Sequence, residues 1–174
     1  MENQVLTAIK ERRSIRSFSD RQVEPEALSA ILEAGTYAPT GMGRQTPIMV
    51  VVQKPELVKR ISAMNAAVMG TNSDPFYGAP TIVIVFSDAD VTTGIEDGSL
   101  VLGNLMLAAH SVGVDSIWIH RARQEFETPE GKALMKSWGI PDSYIGIGHC
   151  ALGYRNCEYP AAKPRKEGYI IYAE

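Results

Sequence analysis

Histidine and cysteine are scarce in this chain. Of its 174 residues, three are histidine and two are cysteine. Two thiols, Cys150 and Cys157, do not make a disulfide framework, and a reducing, cytoplasmic compartment is the expectation. His110, His120 and His149 do not fall at metal-ligand spacing, and no His-Glu-x-x-His occurs. His149-Cys150 supplies two ligands where four are needed, so a buried thiol is the simpler reading. There is no nucleophile elbow, and no Ser-His-Asp set that spacing supports. Long apolar runs are missing too. The longest strand-like one, Ile82 to Phe86, is far short of a membrane span, and no signal peptide is visible. Net charge is only -3, so no global field favours nucleic acid and any anion site must be local.

What is present is an ordinary globular composition, 45% hydrophobic and 21% charged, in one domain's length of chain, residues 1–174. Near its start stands Arg12-Arg13-Ser14-Ile15-Arg16-Ser17-Phe18. Guanidinium forks and hydroxyls suit phosphate. The same cations also suit the negative end of a helix, where they would be a solvated patch. The residues alone leave both readings open. A second basic cluster, Lys163 and Arg165 around Pro164, lies near the other end. Residues two apart share a face of an extended segment. If the tail folds back on the Arg/Ser stretch, the two clusters would surround one phosphate.

Periodicity predicts α+β: four core strands and about five helices. Helices are expected over Glu2 to Glu11, from Pro25 with Gly35 as its stop, after Pro55, over Glu96 to Val112, and from Pro129 with Thr128 as cap. Strands are expected at Ile48–Gln53, Thr81–Phe86, Ser116–His120 and Ser143–Leu152. Residues 37–47, with two Pro, two Gly and two Thr, read as a loop long enough to be functional. Asn65 to Gly78 is broken by Gly70, Asn72, Asp74 and Pro75 and reads as a lid or flap. The helix from Glu96 has almost no polar face, which one small subunit has difficulty covering and which points to a dimer. Tyr169-Ile170-Ile171-Tyr172 is β-prone, too short to stand alone, and expected to join a sheet edge, its own or a partner's. Gly146-x-Gly148-x-x-Ala151 mimics a dinucleotide fingerprint, but it lies inside a strand near the C-terminus rather than in the first strand-helix turn. Small residues that let a neighbour pack close explain it better.

Phosphate grips without an evident acid, base or nucleophile point to a bound cofactor that performs the chemistry. The motifs, in order, resemble the FMN-dependent nitroreductase family: Arg-Arg-Ser-x-Arg-x-Phe at 12–18, Ala38-Pro39-Thr40-Gly41-x-x-x-Gln45, Gly78-Ala79-Pro80, the apolar helix, Ser116-Ile117-Trp118-Ile119, and Lys163-Pro164-Arg165-Lys166. The resemblance covers essentially the whole chain. It implies an intertwined homodimer with a central, mainly antiparallel sheet flanked by helices and one FMN at each of two interfacial sites. It also implies roles. Arg12, Ser14 and Arg16, with Arg13 adjacent, would hold the FMN phosphate and ribityl chain, and Lys163 and Arg165 would complete that grip. Pro39, Thr40 and Gly41 of the other subunit would pack on the ring. Asn65 would meet its polar edge, while Ile117, Trp118, Ile119 and His120 would pass beneath it and offer backbone donors.

The activity so implied is hydride transfer from NADH or NADPH, through FMN, to a nitroaromatic, quinone or similar acceptor, with both partners using one slot in turn. Gly43 stands where the family often has Asn, and an extended helical insertion over the site is absent, so the slot should be open. Two alternatives remain: a related flavin enzyme of the dehalogenase or flavin-fragmenting type, and a flavin-binding, redox-sensing module without turnover.

Overall fold

The computed structural model describes residues 1–173. The elements run α1 (Gln4–Glu11), α2 (Pro25–Thr36), a single 3-10 turn (Gly41–Gly43), β1 (Ile48–Val52), α3 (Pro55–Met69), β2 (Thr81–Asp88), α4 (Gly94–Ser111), β3 (Asp115–Ile119), α5 (Ala122–Glu127), α6 (Pro129–Ser137) and β4 (Tyr144–Gly153). The four strands form one sheet in the order β1-β2-β4-β3, and every neighbouring pair is antiparallel. The expected α+β sheet is therefore present, with six helices among the described residues rather than five. The extra one is α5, whose 6 residues leave too little periodicity to read.

β2 lies in the interior of the sheet, and Ile82 through Phe86 are fully buried. Helices cover both faces, so β2 has no polar side and reads as a continuous apolar run. On one face Ile84 and Phe86 pack with Ile61, Phe76, Phe126 and Trp138 under α3, α5 and α6. On the other, Val83 and Val85 pack with Leu102, Leu105, Cys150 and Leu152 under α2 and α4. Alternation sends Ile117 and Ile119 of β3 to the first face and Trp118 to the second.

The helix ends follow simple chemistry. The Asn3 side chain accepts the Leu6 N–H, Thr128 accepts the Gly131 N–H, and Pro stands at the first turn of α2, α3 and α6. Gly35, expected as a stop, is instead inside α2. A Cβ there would come within 2.9 Å of Leu105, so its role is close approach of α2 to α4.

The glycines of β4 have the same role. A Cβ on Gly146 would stand 2.6 Å from the Ala122 carbonyl oxygen. One on Gly148 would stand 2.8 Å from Trp118 Nε1 and 2.9 Å from Leu102. The fingerprint-like spacing is a packing pattern, as the strand context indicated.

One expectation is corrected. Asn65–Gly78 is not a lid. Asn65 to Met69 complete α3, which ends at left-handed Gly70. The corner beyond is pinned by Asp74, whose carboxylate accepts from Ser62 Oγ (2.6 Å), Phe76 N–H (2.9 Å) and Gly78 N–H (2.7 Å), while Phe76 is buried in the core. Asp74 supplied a turn signal without showing how many partners it would collect. The segment Tyr169–Tyr172 forms no strand within this chain and is exposed. Replacing Gly148 with Ala overpacks the contact with Trp118 and should cost about 1–3 kcal/mol of stability. A urea unfolding curve should show a lower midpoint at unchanged slope.

Candidate functional site

The Arg/Ser stretch leaves α1 and runs onto the open edge of β3. Ser14 bridges Ser116 in parallel, and the Ile15 N–H donates to the Ser116 carbonyl at 3.1 Å. Ile15 is fully buried and Phe18 nearly so, which anchors the stretch from below. Further on, Ser19 N–H donates to Tyr154 O and Asn156 N–H to Ser17 O, lashing it to the end of β4. Arg12, Ser14 and Ile117–His120 thus meet at one sheet edge.

The three arginines have different fates. Arg13 Nη1 donates to the carbonyls of Lys10 (2.7 Å) and Arg12 (2.9 Å), capping α1. The bland reading, a cation at a helix end, is correct for this residue. Arg12 is half-buried, and its Nη1 is buried without a hydrogen-bond partner among the described residues. Arg16 is exposed. None of the three forms an ion pair among the described residues. Nearby Ser116 Oγ is also buried and unpartnered. Unmet buried donors signal a missing partner, and a polyanionic phosphate fits this set. Burial pushes the Cys150 thiol up to about 12, while the Arg12 guanidinium pulls the other way, placing that positive charge near β4. Cys150 is therefore a core group rather than a nucleophile.

Tyr159, absent from the sequence-based candidates, ties the start of the tail to this stretch. Its hydroxyl accepts the Arg13 N–H (3.1 Å) and donates to the Glu11 carbonyl (2.8 Å). Its ring stacks on His110 at 6.4 Å and lies beneath Arg155 at 4.9 Å. Beyond Tyr159, Lys163 and Arg165 are exposed, and Arg165 Nη2 donates to the Lys163 carbonyl. The fold-back thus holds at Tyr159, while both basic residues remain on the surface of this chain.

The loop of Pro39, Thr40 and Gly41 is held in place by α4. Buried Asp97 accepts the Gly41 N–H at 2.9 Å and the Thr93 hydroxyl at 3.1 Å. A side chain at Gly41 would run into Thr93 Oγ1. Thr40 Oγ1 accepts the Gln45 N–H at 3.0 Å, closing the turn. Asp97 lay unremarked in the sequence because its partner is 56 residues away. Asn65 does sit at the end of β3, but its amide is fully engaged. Nδ2 donates to His120 O (2.9 Å) and Glu125 Oε2 (3.0 Å), and Oδ1 accepts from Arg121 Nε (3.1 Å). The His120 residue is exposed.

A cavity of about 780 Å³ lies elsewhere, between α3 and the Asp74 corner, and shares no residue with the sequence-based site. Its walls are Ala63, Ala66, Ala67 and Pro80, with Gln53 and Lys59 at its rim.

The family model for the nitroreductase family matches residues 9–154. This chain belongs to the nitroreductase family. A nitroreductase with bound FMN from Bacteroides fragilis superposes with a TM-score of 0.88 at 31% identity, over 99% of this chain and 100% of that one. Another with bound FMN, from Desulfitobacterium hafniense, gives 0.89 at 29% identity over the full length of both. An FMN reductase [NAD(P)H] of Bacillus subtilis is 26% identical over 94% of this chain and 70% of its own length. No helix among the described residues is long and apolar enough to cross a membrane.

Asp97→Ala removes the carboxylate that fixes Gly41 and should cost about 1–3 kcal/mol. Amide exchange at Gly41 should accelerate well beyond that of the β2 amides, which report the global stability.

Proposed function

We propose that this protein is an FMN-dependent oxidoreductase that carries hydride from NADH or NADPH to a small acceptor of the nitroaromatic or quinone type. The observation that carries the reading is the buried, unpartnered Nη1 of half-buried Arg12, two residues from the Ser14–Ser116 bridge at the open edge of β3. The family membership and the FMN in two of the superposed nitroreductases support the same cofactor. FMN, when bound, supplies reversible two-electron chemistry. The chain's own groups bind and orient it. Arg12, Ser14 and Arg16 hold the phosphate and ribityl chain, with Arg13 fixing the end of α1 beside them. Lys163 and Arg165 close on the phosphate from the tail. Ile117, Trp118, Ile119 and His120 run beneath the ring and turn backbone N–H groups toward its polar edge, with Asn65 steadying the joint there. No side chain at the site is placed as an obligatory acid, so protons come from water. The residues are compatible with an open slot used in turn by donor and acceptor, which is a ping-pong scheme.

A homodimer completes this site. Val5, Leu6 and Ile9 of α1, Leu100 of α4 and the Tyr169–Tyr172 segment present large apolar groups that one chain leaves exposed. β1 is a sheet edge with one free side. A second copy covers these surfaces and brings its Pro39, Thr40 and Gly41 over the flavin. The protein works as a cytoplasmic enzyme.

Purified protein should be yellow and should bleach when NADH or NADPH is added without oxygen. Steady-state data with a quinone should give parallel double-reciprocal lines. Arg12→Ala should weaken FMN binding by about 1–3 kcal/mol, as for a lost charged hydrogen bond. A colourless protein that takes up no FMN overturns the reading, and a yellow one that neither nicotinamide bleaches is a flavin-binding module without turnover.

A further inference from the structure

β3 ends at Ile119 and α5 begins at Ala122, so the chain turns within residues 119–121. Arg121 takes a left-handed conformation there, φ 78, which a non-glycine residue keeps only when its surroundings impose it. What imposes it is a buried polar group built from three other elements. Asn65 of α3, Glu125 of α5 and His149 of β4 have no exposed surface. Asn65 binds the His120 carbonyl, the Arg121 guanidinium and Glu125, as described above. Glu125 Oε2 in turn lies 3.1 Å from His149 Nε2, close enough for an ion pair though not aligned as a hydrogen bond. His149 Nδ1 stands 3.3 Å from the Ile119 carbonyl oxygen. A carbonyl only accepts, so Nδ1 donates its hydrogen there, which leaves Nε2 facing the carboxylate. The rings of Phe76 and Phe126 flank His149 at 5.3 and 6.2 Å.

Such a pair is a poor stability device. Desolvating two ionisable groups offsets most of their attraction, and apolar replacements of equal shape are often neutral or stabilising. Glu125 Oε1 even remains without a partner. Its value must lie in what it holds. We propose that Glu125 and His149 are positioning residues for the flavin: His149 holds the Ile119 carbonyl directly, Glu125 holds the His120 carbonyl through Asn65, and together they fix the backbone on which the ring rests. The inference rests on the FMN reading above, in which residues 117–120 run beneath the ring. Neither side chain touches cofactor or substrate; both act through the β3–α5 joint.

Glu125→Gln and His149→Phe test this, the latter keeping an aromatic between Phe76 and Phe126. The double variant Glu125→Leu/His149→Phe removes the pair altogether and should stay folded with a lowered thermal midpoint, because the Ile119 carbonyl loses its donor. Each variant should bind FMN about tenfold more weakly, with an altered visible circular dichroism of the bound flavin and a shifted midpoint potential. Amide exchange at Arg121 and Ala122 in the flavin-free protein should quicken. Folded variants with unchanged FMN affinity, dichroism, potential and exchange overturn the inference alone. Wild-type protein that binds no FMN overturns the cofactor reading and this inference with it.

Discussion

One backbone contact organises the site: the Ser14–Ser116 bridge, with Ile15 N–H donating to the Ser116 carbonyl at 3.1 Å. β3 is an edge strand, so its outer row of peptide groups must find partners or water. The Arg/Ser stretch supplies one such partner and in doing so brings Arg12 to the sheet. Ile15 makes the docking hold, since burying its side chain contributes on the order of 1.5–3 kcal/mol. Everything basic nearby inherits its place from that contact. Arg13 is turned back onto α1, Arg12 is turned inward toward Cys150, and Tyr159 receives the Arg13 N–H and ties the tail to the same spot.

The strands were legible because β2 and β4 carry their burial in the sequence itself. Ile82–Phe86 is an unbroken apolar run, and a strand with both faces covered has no other appearance. The Arg/Ser stretch could be read as an anion site only in combination with a chemistry-poor remainder. What escaped were contacts whose partners are distant in sequence. Asp97 reaches Gly41, Tyr159 reaches Glu11 and Arg13, and Glu125 reaches Asn65 and His149. A lone Asp or Tyr has no periodicity to betray it. The lid reading of Asn65–Gly78 failed for a related reason. Turn residues mark where the chain bends, but whether the bend is fixed depends on Asp74 finding three donors.

Two kinds of physics divide the site. At one end a net positive charge is left unneutralised, which selects for an anion and tolerates some disorder in its approach. Charge acts over several ångströms and needs no exact register. At the other end the relevant groups are backbone peptides, whose usefulness depends on being held to a fraction of an ångström. The first end is built from a short contiguous stretch. The second requires three elements to converge.

That convergence follows from the unequal lengths of β3 and β4. β3 spans Asp115–Ile119, whereas β4 spans Tyr144–Gly153 and pairs with β3 only up to His149. Where β3 would have continued, α5 lies across β4 instead, and Gly146 is glycine because the Ala122 carbonyl passes 2.6 Å from where a Cβ would be. Ending β3 there puts the His120 carbonyl beyond the ladder, where Asn65 of α3 meets it, and sets the Ile119 carbonyl against the His149 ring. Apolar side chains could fill that space but could not satisfy the carbonyls, which need donors. Asn65 and His149 are those donors, and Glu125 accepts from Asn65 and faces the His149 ring. A shortened edge strand thus calls for a buried polar cluster to hold what remains.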